Sequence, residues 1–186
     1  MLSLLKAHCI DNQIPIITDE SLAFMKDFIQ KNNVKSILEI GTAYGYSAVS
    51  LASDDVHVDT IEKDLVRANE AKKWIEKYHA NVTLYMDDAL TKDFGDKVYD
   101  LIFIDGAKGQ YLKFFLKYKK HLKKGGAIIC DNLYFHNLKE SDTRVRGTKH
   151  LIRKLGLFRS FLETNVEFET TFLEIGDGLS ISILKD

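Results

Sequence analysis

Two acidic residues and an amide follow two apolar runs of the sequence, at points where buried strands are expected to end. Asp105 follows the run Tyr99–Ile104, and Asp131 with Asn132 follows the run Ala127–Cys130. If these runs are neighbouring parallel strands, the two carboxylates lie roughly 5 Å apart, where they repel each other unless a cation bridges them. A lone Asp at a strand end is often only a cap, but two carboxylates with an amide oxygen form a ligand set suited to Mg²⁺. The sequence therefore predicts a divalent-metal site at Asp105, Asp131 and Asn132.

A loop with two glycines follows the first apolar run, Ser36–Ile40. Gly41 and Gly45 permit tight turns and a close approach of the backbone to a ligand. Their spacing is not the GxGxxG that favours a pyrophosphate at a helix N-terminus, and Glu39 beside the loop would repel a phosphate. The same acid could pair with a cationic group such as an amino-acid ammonium. The alternative is an ordinary strand-to-helix turn.

Acidic residues also follow the second and third apolar runs. Glu62 lies 21 residues beyond Gly41, an offset at which a carboxylate typically accepts both hydroxyls of a ribose. The alternative is a helix cap, for which Asp64 is the better candidate. After the third run, Asp88 and Ala89 offer a carboxylate and backbone amides that could contact an adenine edge. Together the three loops predict an adenosine ligand with a charged amino-acid tail and no phosphates, which S-adenosylmethionine matches better than NAD or ATP.

The elements that would position these residues are predicted from apolar periodicity. Strands alternate with helices, an order that implies βαβ units and a mainly parallel sheet. The predicted strands are Ser36–Ile40, His57–Ile61, Val82–Met86, Tyr99–Ile104 and Ala127–Cys130. The predicted helices are Ser21–Lys31 (capped by Thr18 or Asp19), Tyr46–Ala52, Leu65–Tyr78 and Gln110–Leu122, the last with Leu112, Phe115 and Leu116 on one stripe.

The end of the chain departs from this alternation. Glu169–Ile175 and Leu179–Leu184 are strand-like and are joined by Gly176-Asp177-Gly178. A loop so short permits only an antiparallel hairpin. The predicted fold class is therefore α/β: a Rossmann-like seven-stranded, mainly parallel sheet with a C-terminal antiparallel hairpin and helices on both faces.

Size and composition predict one globular domain over residues 1–186. The chain is 45% hydrophobic and 28% charged, which are ordinary values, and no apolar stretch approaches the roughly 20 residues of a membrane helix. Cys9 and Cys130 are the only cysteines, which favours a reducing cytoplasm over a disulfide framework. The net charge is −1, yet Gly106–Leu162 holds ten Lys and four Arg against three acidic residues. This asymmetry suggests either a basic face for a polyanion or solvated helix surfaces.

From about Ile14 onward, the sequence resembles the cation-dependent class I S-adenosylmethionine O-methyltransferases of the catechol and caffeoyl-coenzyme A type. The resemblance is carried by LEIGTAYGYSA, TIEKD, DLIFIDGAKGQY, GGAIICDN and IGDGLSIS. Within that family, GAKGQY, Gln13–Ile17 and TTFLEIGDGLSIS are similar to the bacterial tRNA 5-hydroxyuridine O-methyltransferases. Two features depart from the family: the chain begins late, and the stretch between Asn132 and Arg144 is short. Both regions shape the acceptor pocket.

The resemblance implies roles for individual residues. The metal ligands fall on Asp105, Asp131 and Asn132, with Mg²⁺ as the expected ion, and the catalytic lysine falls on Lys108. Lys108 would remove the proton of the acceptor hydroxyl or stabilise the resulting oxyanion, while positioning and electrostatics supply most of the acceleration. A homodimer is also implied. The cofactor-binding residues fall on Glu39, Gly41, Thr42, Tyr46, Ser47, Glu62, Asp88, Ala89 and Asp105.

The basic region bears on the identity of the acceptor hydroxyl. Arg144, Arg146 and Arg153 follow the metal residues with no acid until Glu163, and phosphate contacts dominate nucleic-acid affinity. Tyr134–His136 could stack on an extruded base. The basic region favours a nucleic acid, and the resemblance then implies 5-hydroxyuridine in the tRNA anticodon as the acceptor, with a small catechol-like phenol as the alternative. The rival classes are a non-catalytic RNA- or cofactor-binding protein and a nicotinamide oxidoreductase, the latter opposed by the absence of GxGxxG.

Overall fold

The computed structural model describes residues 2–133 and 143–185. The strands are β1 (Ser36–Ile40), β2 (His57–Ile61), β3 (Val82–Tyr85), β4 (Tyr99–Ile104), β5 (Leu122–Cys130), β6 (Phe168–Leu173) and β7 (Leu179–Leu184). The helices are α1 (Ser3–Asp11), α2 (Asp19–Lys31), α3 (Tyr46–Leu51), α4 (Leu65–Lys77), α5 (Tyr111–Tyr118) and α6 (Arg146–Thr164). Two short 3₁₀ turns, Lys108–Gln110 and Lys119–His121, flank α5.

The seven strands form one sheet in the order β3-β2-β1-β4-β5-β7-β6. The pairs among the first five strands are parallel, whereas β7 runs antiparallel to both β5 and β6. This topology confirms the predicted fold class. Because β4 and β5 are neighbours, with Ile104 opposite Cys130, the residues that follow them meet at the same edge of the sheet.

The sheet buries side chains on both faces, since successive residues of a strand point to opposite sides. In β1, Ile37 belongs to a core shared with α1, α2, α3 and α4. Its neighbour Leu38 belongs to the other core, which contains side chains of α5 and α6. Helices therefore cover both faces, as the sequence predicts, and the carboxyl edge of the parallel strands is left to the loops.

Helix α5 is shorter than predicted, and one residue of its predicted apolar stripe, Leu116, is misplaced, whereas Phe115 is buried and Leu112 packs against the core. Strand β5 already begins at Leu122, so the chain between the two elements forms a 3₁₀ turn instead of more helix. Leu116, expected inside, is 46% exposed. The buried side chains are those of Tyr111, Phe114, Phe115 and Tyr118.

Two helices, α1 and α6, are absent from the sequence prediction. In α6 the buried residues Leu155, Phe158 and Leu162 lie in the second half of the helix, after a first half that carries Arg146, Lys149, Arg153 and Lys154. The predicted caps of the other helices are borne out, because the Thr18 hydroxyl accepts from the backbone N–H of Ser21 in α2. Across residues 2–133 and 143–185, none of the helices combines the length and apolar character that crossing a bilayer requires.

Candidate functional site

A cavity of about 500 Å³ lies at the carboxyl edge of the parallel strands, where ligands bind in open α/β sheets. The loops that follow β1, β2, β3 and β4 contribute most of its walls. Most of the residues predicted to bind a cofactor or to act in catalysis line it. They are Gly41, Thr42, Tyr46, Ser47, Glu62, Asp88, Ala89, Asp105, Lys108 and Asn132.

The loop after β1 is built for a close backbone approach. Gly41 has φ +104°, and a Cβ placed on it would lie 2.7 Å from the carbonyl oxygen of Asp105. Only glycine fits this position without displacing the loop that follows β4. The backbone N–H groups of Gly41 and Thr42 both point to the carbonyl oxygen of Ile61, so three strand ends are held together beneath the cavity.

Glu39 lies below this loop and does not border the cavity. Its side chain is fully buried, one carboxylate oxygen accepts from the Thr60 hydroxyl, and the other has no hydrogen-bond partner among the described residues. Burial, with a smaller contribution from the nearby Glu62, raises the pKa of Glu39 to about 7 against the lowering effect of the Ser47 and Thr60 hydroxyls. A buried acid with an unpaired oxygen suits a cation placed just above it.

Glu62 stands at the cavity wall and is held by the backbone. Its two carboxylate oxygens accept from the N–H groups of Ala43 and Asp64, both at 2.9 Å. The cap of α4 is Asp64, whose Oδ1 accepts from Val66 N–H at 2.9 Å. Glu62 is therefore not the helix cap, and each of its oxygens keeps accepting capacity toward the cavity, as binding of ribose hydroxyls requires.

The loop after β3 forms another part of the cavity wall. The Asp88 carboxylate accepts from Leu90 N–H at 2.8 Å, which fixes a tight turn. The hydroxyl of Tyr118, in α5, donates to the carbonyl oxygen of Ala89 at 2.7 Å. The turn is thus fastened to the helix that follows the β4 loop, and Asp88, Ala89 and Leu90 all border the cavity.

Asp105, Asp131 and Asn132 meet at the ends of β4 and β5. The Asn132 side-chain amide donates to Asp105 Oδ1 at 3.2 Å, and the Asn132 backbone N–H donates to Asp131 Oδ1 at 2.7 Å. Burial and the neighbouring Asp131 raise the pKa of Asp105 well above its usual range. Burial also raises the pKa of Asp131 to about 6. The arrangement therefore concentrates negative charge that a bound cation would neutralise.

These residues fit a divalent cation by the chemistry of their donors. Among the described residues, no group of three or more His, Cys, Asp and Glu side chains is arranged to hold a metal ion. The candidate set here is two carboxylates and one amide oxygen, and all-oxygen sets of this kind suit Mg²⁺, Mn²⁺ or Ca²⁺. The left-handed backbone of Asn132, with φ +61°, is a conformation that Asn tolerates better than most residues.

Lys108 places an ammonium group on this cluster. Its Nζ donates to Asn132 Oδ1 at 2.9 Å, and its charge lowers the pKa of Asp105 and Asp131 against the effect of burial. The turn that carries it packs under α6, since a Cβ on Gly109 would lie 3.6 Å from the Lys154 side chain. The predicted catalytic lysine and the predicted metal ligands therefore form one contiguous group.

The sequence reading missed two segments that border the cavity: Pro15–Ile17, which precede α2, and Asp177, in the β6–β7 turn. The two are adjacent, because the backbone N–H of Gly176 donates to the Glu20 carboxylate at 3.3 Å. Asp177 also raises the pKa of Asp131. In the structure β7 runs antiparallel to both β5 and β6, so the turn between β6 and β7 lies at the same edge of the sheet as the site.

The residues predicted to bind RNA lie outside the cavity. Arg144 precedes α6, Arg146 begins it and Arg153 lies within it. The same helix touches the catalytic turn through Leu151 and Lys154, which lie beside Gly109. The aromatic residues 134–136, predicted to stack on a base, fall outside the described residues.

Comparison with known proteins shows the family of this chain. The sequence model of the O-methyltransferase family matches residues 2–185. The chain is 29% identical to tapetum-specific methyltransferase 1 of Arabidopsis thaliana over 91% of its length and 78% of the relative's. It is 26% identical to the caffeoyl-CoA O-methyltransferase of Populus kitakamiensis over 85% of its length and 73% of the relative's.

Solved structures give the same result. A Staphylococcus aureus protein proposed to be a caffeoyl-CoA O-methyltransferase superimposes with a TM-score of 0.94 at 39% identity, covering 98% of this chain and 91% of that one. The O-methyltransferase TomG of Streptomyces achromogenes, solved in complex with S-adenosylmethionine, shares the fold with a TM-score of 0.81 at 19% identity, over 100% and 89% of the two chains. The chain belongs to the O-methyltransferase family and is an S-adenosylmethionine-dependent O-methyltransferase.

Proposed function

We propose that this enzyme methylates the 5-hydroxyl of 5-hydroxyuridine in the tRNA anticodon, with a divalent cation held by Asp105, Asp131 and Asn132. The observation that carries the proposal is the position of α6. Its first turn contains no acidic residue, and the helix packs on the turn that bears Lys108. A basic element thus adjoins the reacting groups, where a phosphate backbone would have to run to bring a base into the cavity.

Different residues of the chain would bind the cofactor, handle the acceptor proton and line the acceptor side of the cavity. When bound, S-adenosylmethionine supplies an electrophilic methyl group, and a divalent cation lowers the pKa of the acceptor hydroxyl. Glu62 and the loop after β3 hold the adenosine end. Lys108 lies within hydrogen-bonding distance of Asn132 Oδ1, so its amine can take the acceptor proton or offset the charge that develops on the oxygen. Pro15–Ile17 and Asp177 complete the wall on the acceptor side.

A small catechol-like phenol is the second candidate acceptor. Two relatives of the chain are named for such substrates, the Populus caffeoyl-CoA enzyme and a catechol O-methyltransferase of Niastella koreensis, 26% identical to this chain. A phenol of that size fits within the cavity and needs no surface beyond it. The basic helix α6 is unexplained under this alternative, which is why we favour RNA. Cytoplasmic location and a homodimer stay predictions.

A transfer assay separates the two acceptors. The protein is incubated with radiolabelled S-adenosylmethionine, Mg²⁺ and, in parallel, tRNA containing 5-hydroxyuridine, the same tRNA with unmodified uridine, and catechol. We expect label on the hydroxylated tRNA alone or far above catechol. Label on catechol with none on hydroxylated tRNA would contradict the proposal, and no label on any of them would contradict both candidates.

Arg146→Ala tests the contribution of α6 to RNA binding. We expect weaker tRNA binding and a slope of log K against log salt that is reduced by about 1, because one phosphate contact is lost. The measurement is fluorescence anisotropy over a salt series. Arg159→Ala is the control from the same helix, since Arg159 donates to Glu163 at 2.9 Å and should not alter the slope. An unchanged slope in Arg146→Ala would count against this surface.

The buried carboxyl of Glu39 is expected to release a proton when S-adenosylhomocysteine binds. The carboxyl with a pKa of about 7 is largely protonated at pH 6.5, and an ammonium placed above it favours the charged form. Binding of S-adenosylhomocysteine at pH 6.5 should therefore release about half a proton. Calorimetry in buffers of different ionisation enthalpy measures this number. Glu39→Gln should abolish the release, and wild-type binding without any release would show that Glu39 does not sense the ligand.

A further inference from the structure

One polar group at the cavity has no role in the chemistry described above. The side-chain oxygen Oε1 of Gln110 is buried and has no hydrogen-bond partner among the described residues. Gln110 also borders the cavity. A buried amide oxygen without a donor costs free energy, so an unpaired acceptor at a binding cavity points to a ligand that brings the missing N–H or O–H.

The position of Gln110 indicates which part of the ligand it faces. It immediately precedes α5, and residues four apart on a helix share a face. One turn on lies Phe114, which belongs to the same apolar cluster as Ala89. One further turn on lies Tyr118, whose hydroxyl donates to the carbonyl oxygen of Ala89 at 2.7 Å. The stripe that Gln110 begins therefore faces the loop after β3.

The other side of α5 serves the metal residues. Tyr111, the next residue, donates its hydroxyl to the carbonyl oxygen of Asp131 at 3.0 Å. Tyr111 is thus turned to the end of β5, whereas helical spacing puts Gln110 on the side of Phe114 and Tyr118, which border the cavity and contact the Ala89 loop, respectively. This division separates Gln110 from the acceptor hydroxyl.

We propose that Gln110 Oε1 accepts a hydrogen bond from the exocyclic N6 amino group of the adenine of S-adenosylmethionine. The amino group of adenine is a donor, and a Gln amide is a chemical match for the N6 edge of adenine. The bond satisfies the buried oxygen and selects adenine over a purine that carries an oxygen at position 6. The enzyme then reads its cofactor base with a side chain from the turn that also carries Lys108.

Binding of two ligands tests this assignment without any turnover. S-Adenosylhomocysteine carries the N6 amino group, whereas S-inosylhomocysteine carries an oxygen there and cannot donate to Gln110. Calorimetry gives the dissociation constant of each for the wild type, Gln110→Met and Gln110→Glu. Gln30→Met, at an exposed position of α2, is the matched control.

We expect the wild type to bind the adenosyl ligand about tenfold more tightly than the inosyl ligand. Gln110→Met should lose most of this preference by weakening the adenosyl ligand alone, and Gln110→Glu should keep the preference because it retains an acceptor oxygen. Gln30→Met should match the wild type. The proposal is overturned if Gln110→Met weakens both ligands equally, or neither. Because no acceptor substrate is present, these outcomes are independent of the tRNA proposal.

Discussion

Asp105→Asn is expected to lower kcat/KM about 10³-fold while leaving the ligand-free protein at least as stable as the wild type. On the proposed metal site, the loss corresponds to removal of a charged ligand and of the cation that it would help to hold, a contribution of several kcal/mol to the transition state. The retained stability follows from the electrostatics of the ligand-free site. Asp131 and Glu39 both raise the pKa of Asp105, so its charge is unfavourable without a cation.

The substitution keeps the shape of the site. Asparagine retains an oxygen that can accept from the Asn132 side-chain amide, which lies 3.2 Å from Asp105 Oδ1. Removing the negative charge relieves repulsion with Asp131 across the β4 and β5 ends. We therefore expect the variant to lose activity while it stays folded. Thermal melting of the ligand-free variant distinguishes this result from a loss of activity caused by unfolding.

Metal dependence is measured on the same proteins. EDTA should abolish wild-type transfer and added Mg²⁺ should restore it, and Mg²⁺ should raise the melting temperature of the wild type but not of Asp105→Asn. Asp27→Ala is the control, because Asp27 is an exposed acid of α2 that pairs with Lys31, at 2.8 Å, in the same helix. Full wild-type activity in EDTA, or Mg²⁺ stimulation of Asp105→Asn equal to that of the wild type, would refute the metal site.

The components of this site differ in how far the sequence could predict them. Asp105 and Asp131 follow apolar runs whose strand character is strong, and parallel neighbours bring such strand ends together. Glu39 was assigned to the ligand from its position beside the loop. The structure places it beneath the loop, fully buried, so its depth below the cavity was not predictable from its place in the sequence, and its role toward the ligand stays a prediction.

Other parts depend on register between distant segments. Asp177 reaches the site only because β7 pairs with β5 and so returns the hairpin turn to the carboxyl edge, a pairing that local pattern does not reveal. The face that α5 turns to the sheet is set by packing. Phe114 is buried and Leu116 is 46% exposed, a difference that a nearly continuous apolar sequence does not reveal. The bond from Tyr118 to Ala89 likewise joins two segments that the sequence reading treated separately.

The second large effect is on stability and concerns Asp59, whose side chain is fully buried in β2. The Tyr99 hydroxyl donates to its Oδ2 at 2.6 Å, Lys97 pairs with the same oxygen, and His57 Nε2 lies 3.0 Å from Oδ1. Burial and the Asp59 carboxylate raise the pKa of Tyr99, so its hydroxyl stays protonated and donates. None of these residues borders the cavity.

Asp59→Ala is expected to lower the free energy of unfolding by about 3 kcal/mol. The main cost is the buried Tyr99 hydroxyl, which loses its acceptor and cannot reach water. Lys97 adds less, because its half-exposed side chain can turn to solvent. For a chain of this length the melting temperature should fall by about 9 °C. Urea denaturation followed by circular dichroism measures the change.

Two further variants separate the hydrogen bond from the charge. Asp59→Asn keeps an acceptor for Tyr99, so it should be less destabilising than Asp59→Ala. Asp55→Ala removes an exposed acid of the turn before β2 and should change the free energy of unfolding by less than about 0.5 kcal/mol. If Asp59→Ala were as mild as Asp55→Ala, the buried network would not be the stabilising element that its geometry indicates. S-Adenosylhomocysteine affinity, measured where each variant is folded, should stay at the wild-type value, because the network stabilises the sheet and lies outside the ligand cavity.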